Sequence, residues 1–311
     1  MQHWQHIEGP GTIDVLVVDA HAAGHPDVNE RLIRTWVSMG LLDHPRPRPA
    51  HRGSGKAEYS AGQRRLLLIL LEHRREQPKP TSLAQLPLWL WLYGDESVPT
   101  RQALKALLTW LGRGRRSQEV TRDVALGPLA RFTHPPGTAP ARSRLVRLVT
   151  RLGQSTADFT AREHTELTAA VRAVMAPLTT VTVNWQTRTV SSTTTAPTTA
   201  EGVVAHAETV LLAVQHLLRG GAHERLLEQT RVAFRASMTA HRHRAAADRP
   251  RHEAGEPPRD IAWLADRVGE PGWRERIDGA GELLLLEIGR AVRAAGPADG
   301  TGSTGRRPGR T

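Results

Sequence analysis

The chain of 311 residues contains no cysteine. Disulfides, thiolate zinc sites, cysteine nucleophiles and cysteine-bound iron–sulfur clusters are therefore excluded by chemistry. Aromatic residues make up only 4% of the chain, and the only lysines are Lys56, Lys79 and Lys105, so that 39 of the 42 basic residues are arginine. The hydrophobic content of 39% is nevertheless enough to bury a core, which excludes a wholly disordered chain.

Long hydrophobic runs are missing as well. The longest ones, residues 66–71 and 86–93, fall well short of the about 20 apolar residues that a membrane-spanning helix needs. Residues 1–11 lack the apolar core of a signal peptide. We therefore expect a cytoplasmic protein without a membrane partner.

Positive charge is in excess, and it is unevenly distributed. The formal net charge is +11, and residues 61–150 carry fifteen basic side chains against six acidic ones, whereas residues 1–60 carry six against seven. Richness in arginine, alanine, glycine and proline is typical of a GC-rich coding bias, but such a bias would spread the charge evenly. A localised basic excess favours a polyanionic partner, and nucleic acid is the first to test.

Helical periodicity dominates the sequence, so the expected fold class is mainly α. Helices are predicted over residues 61–76, 100–111, 142–152 and 160–175. Ser60 is a suitable N-cap for the first of these, Pro99 a suitable first-turn residue for the second, and Gly112 a suitable stop. Residues 181–190 alternate and are rich in β-branched side chains, which makes them the best strand candidate and suggests a small β-hairpin.

Proline and glycine clusters divide the chain into four parts. We predict an N-terminal unit at residues 1–76, a basic helical extension at 77–134, a helical C-terminal domain at 138–295 and a tail at 296–311. The tail cannot bury enough apolar surface to offset its ordering entropy, so we expect it to be disordered.

The N-terminal unit has the pattern of a helix-turn-helix. Residues 16–23 and 28–38 read as two short helices, and Gly24 begins the turn between them. The polar face of the second helix carries Arg31, Arg34 and Thr35. Because the two arginines lie one turn apart, both could enter a DNA major groove together. The alternative is that they are simply solvated, as exposed arginine pairs often are.

A loop rich in proline and glycine follows, at residues 43–59, and we call it the basic loop. Its basic side chains are Arg46, Arg48, Arg52 and Lys56. Such a loop suits a flexible wing that crosses DNA phosphates, although a solvated loop would have the same composition. Together the helices and the loop predict a winged helix-turn-helix.

The order of these parts resembles the MerR family of winged-helix transcription regulators. The resemblance rests on residues 32–42 (Leu-Ile-Arg-Thr-Trp-Val-Ser-Met-Gly-Leu-Leu), then Pro45, the basic loop, and Tyr59 at the start of the next helix. It extends over residues 12–75, with Leu16, Ala20 and Gly24 where that family has its first helix and turn. The resemblance implies that Arg34 is the recognition-helix arginine, and that Arg52 and Tyr59 belong to a wing that contacts the DNA backbone.

Two further surfaces are candidates for binding. The first is a basic cluster formed by Arg113, Arg115 and Arg116, which could clamp phosphates or be a solvated loop. The second is an apolar seam formed by Val203, Val210, Val214 and Leu217, whose steps of seven, four and three residues are typical of a helix-pairing face. The seam would serve either as intramolecular core or as a homodimer contact, and a dimer would suit a two-fold DNA site.

Catalytic and cofactor motifs do not appear in the sequence. There is no zinc-protease helix, phosphate-binding loop, nucleophile elbow or dinucleotide fingerprint, and the fifteen histidines are scattered. We therefore predict no catalytic, metal or cofactor site, and the sequence identifies no small-molecule effector. The sequence favours a non-enzymatic, sequence-specific regulator that binds double-stranded DNA, with a helical adaptor or scaffold protein as the alternative.

Overall fold

The fold follows from a computed structural model of the chain. It describes residues 7–47, 56–76, 78–93, 96–130, 132, 136–155, 159–175, 181–184, 189–192, 199–248 and 279–295. The predicted tail at 296–311 lies outside the described residues. So do Arg48 and Arg52 of the basic loop.

The protein is mainly helical, as the sequence predicts. In chain order the helices are α1 (Ile13–Ala22), α2 (Glu30–Ser38), α3 (Ala61–Glu76), α4 (Pro80–Leu83), α5 (Gln85–Tyr93), α6 (Thr100–Leu111), α7 (Arg115–Ala125), α8 (Gly127–Ala130), α9 (Ala139–Gln154), α10 (Ala161–Met175), α11 (Ala200–His216), α12 (Glu224–Asp248) and α13 (Ala280–Ala295). A π-helical segment, Leu217–Gly221, follows α11. Strands β1 (Val181–Asn184) and β2 (Thr189–Ser192) pair antiparallel, with Val183 opposite Val190.

Local capping explains several helix ends. The side chain of Asn29 accepts a hydrogen bond from the Leu32 amide at 3.0 Å, which satisfies a free N–H group at the start of α2. Helix α6 has the predicted bounds, although Pro99 occupies its N-cap position and not its first turn. Gly112 ends α6 with φ at 72°, a left-handed conformation that favours glycine.

The core is centred on α11, which packs against α7, α9, α10 and α13. Its most extensive contact is with α13, where a Cβ at Gly289 would overlap the backbone of Thr209. The buried amide of Gln215 donates to the Leu152 carbonyl at 2.9 Å and ties α11 to α9. Helix α7 precedes residues 134–138 and α9 follows them, and both helices pack against α11. The parts of the chain on the two sides of this segment therefore share one core.

The apolar seam of α11 lies inside this core. Val203, Val210 and Val214 are fully buried, and Leu217 is only 4% exposed. Their partners are other helices of the same chain, so they have no surface to offer a second copy. Of the two interpretations left open for the seam, the intramolecular core is therefore correct, and a homodimer contact through these residues is wrong.

The N-terminal helices form a smaller packed group. Helix α1 packs against α2 and α3, with Leu16 and Ala20 fully buried between them. The turn after α2 rests directly on α6, because Gly40 adopts a φ of 75° and lies against the backbone of Ala106. None of the helices in the described ranges has both the length and the apolar character that crossing a bilayer requires.

Replacing Gly40 by alanine should weaken the contact between α2 and α6. The new Cβ would lie 2.5 Å from the Ala106 nitrogen and 2.8 Å from the Gln102 carbonyl oxygen, and both are backbone atoms that cannot rotate away. Strain from the positive φ adds to this overlap, so we expect a loss of about 2 kcal/mol or more in the free energy of unfolding.

The matched control is Gly220→Ala. Gly220 has a similar φ of 86°, but no heavy atom lies within 4 Å of the position its Cβ would occupy. Only the conformational cost of about 1 kcal/mol then applies. Urea unfolding of both variants measures the difference, and equal losses would show that the approach of Gly40 to α6 is not tight.

A pH dependence is expected from His25, in the turn between α1 and α2. Burial lowers the pKa of His25, and the charge of Arg75 lowers it further. The neutral ring therefore contributes stability above the unfolded pKa of about 6.5, and this contribution is lost as the pH falls through the lower folded pKa. We expect the unfolding free energy of His25→Asn to fall less than that of the wild type between neutral and acidic pH. Parallel urea titrations across that range provide the measurement, and identical pH profiles would contradict the expectation.

Candidate nucleic-acid interface

Helix α2 separates an apolar face from a cationic one. Ile33 and Trp36 are buried against the rest of the N-terminal group. Arg31, Arg34 and Thr35 are exposed on the opposite side. The 3.6-residue period of an α-helix produces this division, because the two arginines and the threonine recur on one side of the cylinder.

Short backbone pairings join the ends of the basic loop. Arg46 and Glu58 exchange two hydrogen bonds, at 2.8 Å and 2.9 Å, so the two ends of the loop run antiparallel. Tyr59 and Gly11 exchange another pair, at 2.8 Å and 2.9 Å, which adds the segment that leads into α1. Three chain segments therefore meet beside α2 and hold Arg46 and Lys56 near it.

Tyr59 is part of the interior at this point and not an exposed backbone contact. It is 3% exposed, and burial raises the pKa of its phenol, while the nearby charge of Arg34 partly opposes that rise. The assignment of Tyr59 to an outer phosphate contact is therefore corrected. Its bulky ring packs where the loop returns to α3, a position that the backbone pairing with Gly11 fixes.

A cleft of about 590 Å³ opens between the start of α1, the exposed edge of α2 and the ends of the basic loop. It is lined by Thr12, Ile13, Asp14, Glu30, Arg34, Val37, Ser38, His44, Pro45, Lys56, Ala57 and Tyr59. The lining combines an apolar floor with two basic and two acidic side chains at its rim. Arg34 and Lys56, both predicted to bind DNA, are therefore brought to the same opening.

Each of these two cations is paired with an acid. Arg34 contacts Glu30 at 3.0 Å within α2, and Lys56 contacts Asp14 at 2.8 Å across the cleft. The hydrogen bond to Asp14 raises the pKa of Lys56. All four side chains are about half exposed or more, between 48% and 75%. Ion pairs this exposed add little to stability, because water and salt screen the attraction between the charges.

Two other predicted cations, Arg31 and Arg46, have no such partner among the described residues. Both residues are exposed. The hydroxyl of Thr35 donates to the Arg31 carbonyl at 2.8 Å, which uses its one donor and leaves its oxygen able to accept and its methyl group able to make apolar contacts. Helix α2 thus presents one free guanidinium, one paired guanidinium and a small amphipathic side chain.

A polar network that the sequence does not predict lies where the basic loop begins, with three buried members and one half-exposed arginine. We call Asp43, Gln63, Arg101 and Gln102 the junction network. Arg101 donates two hydrogen bonds to the Asp43 carboxylate, at 2.8 Å and 2.6 Å, and this raises the pKa of the guanidinium. Gln63 accepts from the Asp43 amide at 2.7 Å and donates to Gln102 at 2.8 Å. No local motif signals this network, because its hydrogen-bonded partners lie 20, 39 and 58 positions apart in the chain.

The basic cluster lies just beyond the contact between α6 and α2. The hydroxyl of Thr109 donates to the Met39 carbonyl at 2.7 Å, and Arg113 follows Thr109 by about one helical turn. Arg113 and Arg116 are exposed and without an ion pair to any residue that the structure describes, whereas Arg115 contacts Glu119 at 3.1 Å. The cluster therefore follows the end of α6 that lies nearest the C-terminus of α2.

The arrangement as a whole can hold an extended anion. It offers guanidinium donors on a helix, an ammonium group at the rim of a cleft, and more guanidinium groups after α6. Within the described ranges, no group of three or more histidine, aspartate or glutamate side chains is arranged to hold a metal ion.

Comparison with known proteins adds no information about this site. No protein-family model matches the chain, and no similar protein was found among curated sequences or solved structures.

Proposed function

We propose that the protein is a sequence-specific DNA-binding regulator whose N-terminal unit is a winged helix-turn-helix resembling the MerR family. The observation that carries the proposal is the exposure of Arg31, Arg34 and Thr35 on one side of α2, next to the paired ends of the basic loop. A helix with this face fits the width of the DNA major groove.

In this proposal α2 reads bases. Arg31 is free to form two hydrogen bonds with a guanine, the commonest specific contact of an arginine in the major groove. Arg34, in the lining of the cleft, has to exchange the Glu30 carboxylate for a DNA phosphate at the edge of the groove. Because the Thr35 hydroxyl already donates to a backbone carbonyl, its methyl group is the group left for a thymine methyl.

The basic loop contributes affinity without sequence preference. Arg46 and Lys56 lie at its ends, and Arg48 and Arg52 lie between them in the sequence. Neutralising phosphates with these side chains releases counterions, so binding should weaken steeply as salt increases. The cluster of Arg113, Arg115 and Arg116 would extend the phosphate contact beyond the end of α2.

Selection from a pool of random duplexes tests the function directly. A regulator of this kind enriches one motif, and the complex with that motif weakens between about 50 and 200 mM salt. If no motif is enriched, the proposal of a sequence-specific regulator is wrong. A chain that retains no duplex at any salt concentration would support the adaptor or scaffold alternative.

Replacing Arg31 by alanine should reduce affinity for the selected duplex more than for random duplex. The expected loss on the selected sequence is about 1 to 3 kcal/mol, because a bidentate contact to one base is removed. Arg162→Ala is the matched control, since Arg162 is an exposed arginine of α10 and the change in net charge is the same. Equal losses of affinity on both duplexes would refute base reading by Arg31.

A further inference from the structure

Two acidic side chains occupy positions in the cleft where a DNA phosphate would be expected to bind. Asp14 lies in the first turn of α1, and Glu30 is the first residue of α2. The N-terminus of a helix attracts anions through its free N–H groups and its dipole. Each carboxylate also contacts a cation of the cleft, Lys56 in one case and Arg34 in the other.

Among the described residues that line the cleft, the formal charges cancel as a result. Arg34 and Lys56 contribute two positive charges, and Asp14 and Glu30 contribute two negative ones. An incoming phosphate therefore meets a neutral rim unless it displaces a carboxylate. Displacement is feasible because all four side chains are exposed enough for water to solvate the released acid.

We infer that Asp14 and Glu30 are internal phosphate mimics that hold Lys56 and Arg34 in the free protein and compete with the DNA backbone for the cleft. This inference rests on the proposed DNA-binding function and names the part of the ligand that enters the cleft, a backbone phosphate. The competition is independent of base sequence, because every nucleotide of the DNA backbone carries the same phosphate group.

Single substitutions of the acids test the inference on the full-length chain. The probes are a random-sequence duplex and the selected duplex, each titrated over a salt series. Asp14→Asn and Glu30→Gln should each tighten binding about threefold to tenfold. The slope of log affinity against log salt should steepen by about 0.9 for each cation that is freed to neutralise a phosphate. The gain should be the same on both duplexes.

Glu166→Gln is the matched control. Glu166 pairs with Arg151 at 2.6 Å between α9 and α10, with a similar exposure of 48%, and it does not line the cleft. It removes one negative charge, as the test variants do, so its effect measures the contribution of net charge alone. We expect a change of less than about twofold, because Glu166 does not line the cleft and salt screens exposed charges.

A double-mutant cycle separates competition from a change in stability. The gain from Asp14→Asn should disappear when Lys56 is already replaced by glutamine, because no cation is then left to free. Thermal melting of each variant verifies that the fold is kept. If the wild type binds DNA while Asp14→Asn and Glu30→Gln behave like Glu166→Gln, the inference is wrong and the proposed function stands. If neither the wild type nor any variant retains duplex, both are wrong.

Discussion

The junction network of Asp43, Gln63, Arg101 and Gln102 determines where the N-terminal helices sit on the rest of the chain. Its amide groups are buried, so each hydrogen bond left unmade would cost about 1 to 3 kcal/mol. The bonds are all satisfied only when α3, α6 and the segment after α2 meet, with Gln102 also donating to the Leu41 carbonyl at 2.9 Å. The orientation of α2, and with it the exposure of its arginines, depends on this meeting.

Local features of the structure could be predicted from the sequence, and distant ones could not. The bounds of α3 and α6 match because caps and apolar spacing act within a few residues. The division of α2 into a buried and an exposed face follows from helical period alone. The junction network escaped prediction because a buried glutamine has no sequence signature until its partner, tens of residues away, is known.

Two corrected residue assignments have the same origin. The seam of α11 is an apolar face, as its periodicity predicts, but periodicity cannot say which helix covers such a face, and α13 begins 64 residues after the end of α11. Tyr59 lies where the basic loop ends, as the sequence predicts. Its burial depends on backbone pairing with Gly11, which precedes it by 48 residues. In both cases the residue type indicates the kind of contact, but the sequence does not indicate which part of the chain forms the other side of it.

The net charge of the chain does not by itself show which cations are available to a ligand. That becomes clear only when the ion pairs are known. Of the cations predicted to bind DNA, Arg34 and Lys56 are neutralised by acids in the cleft, whereas Arg31 and Arg46 have no ion pair among the described residues. If the protein binds DNA as proposed, opening the two pairs would cost the same for every DNA sequence, so they would lower affinity for all duplexes alike. Discrimination would then be left to contacts that differ between bases, above all those of Arg31. The strength of binding and the choice of sequence would therefore be set by different residues on neighbouring parts of one surface.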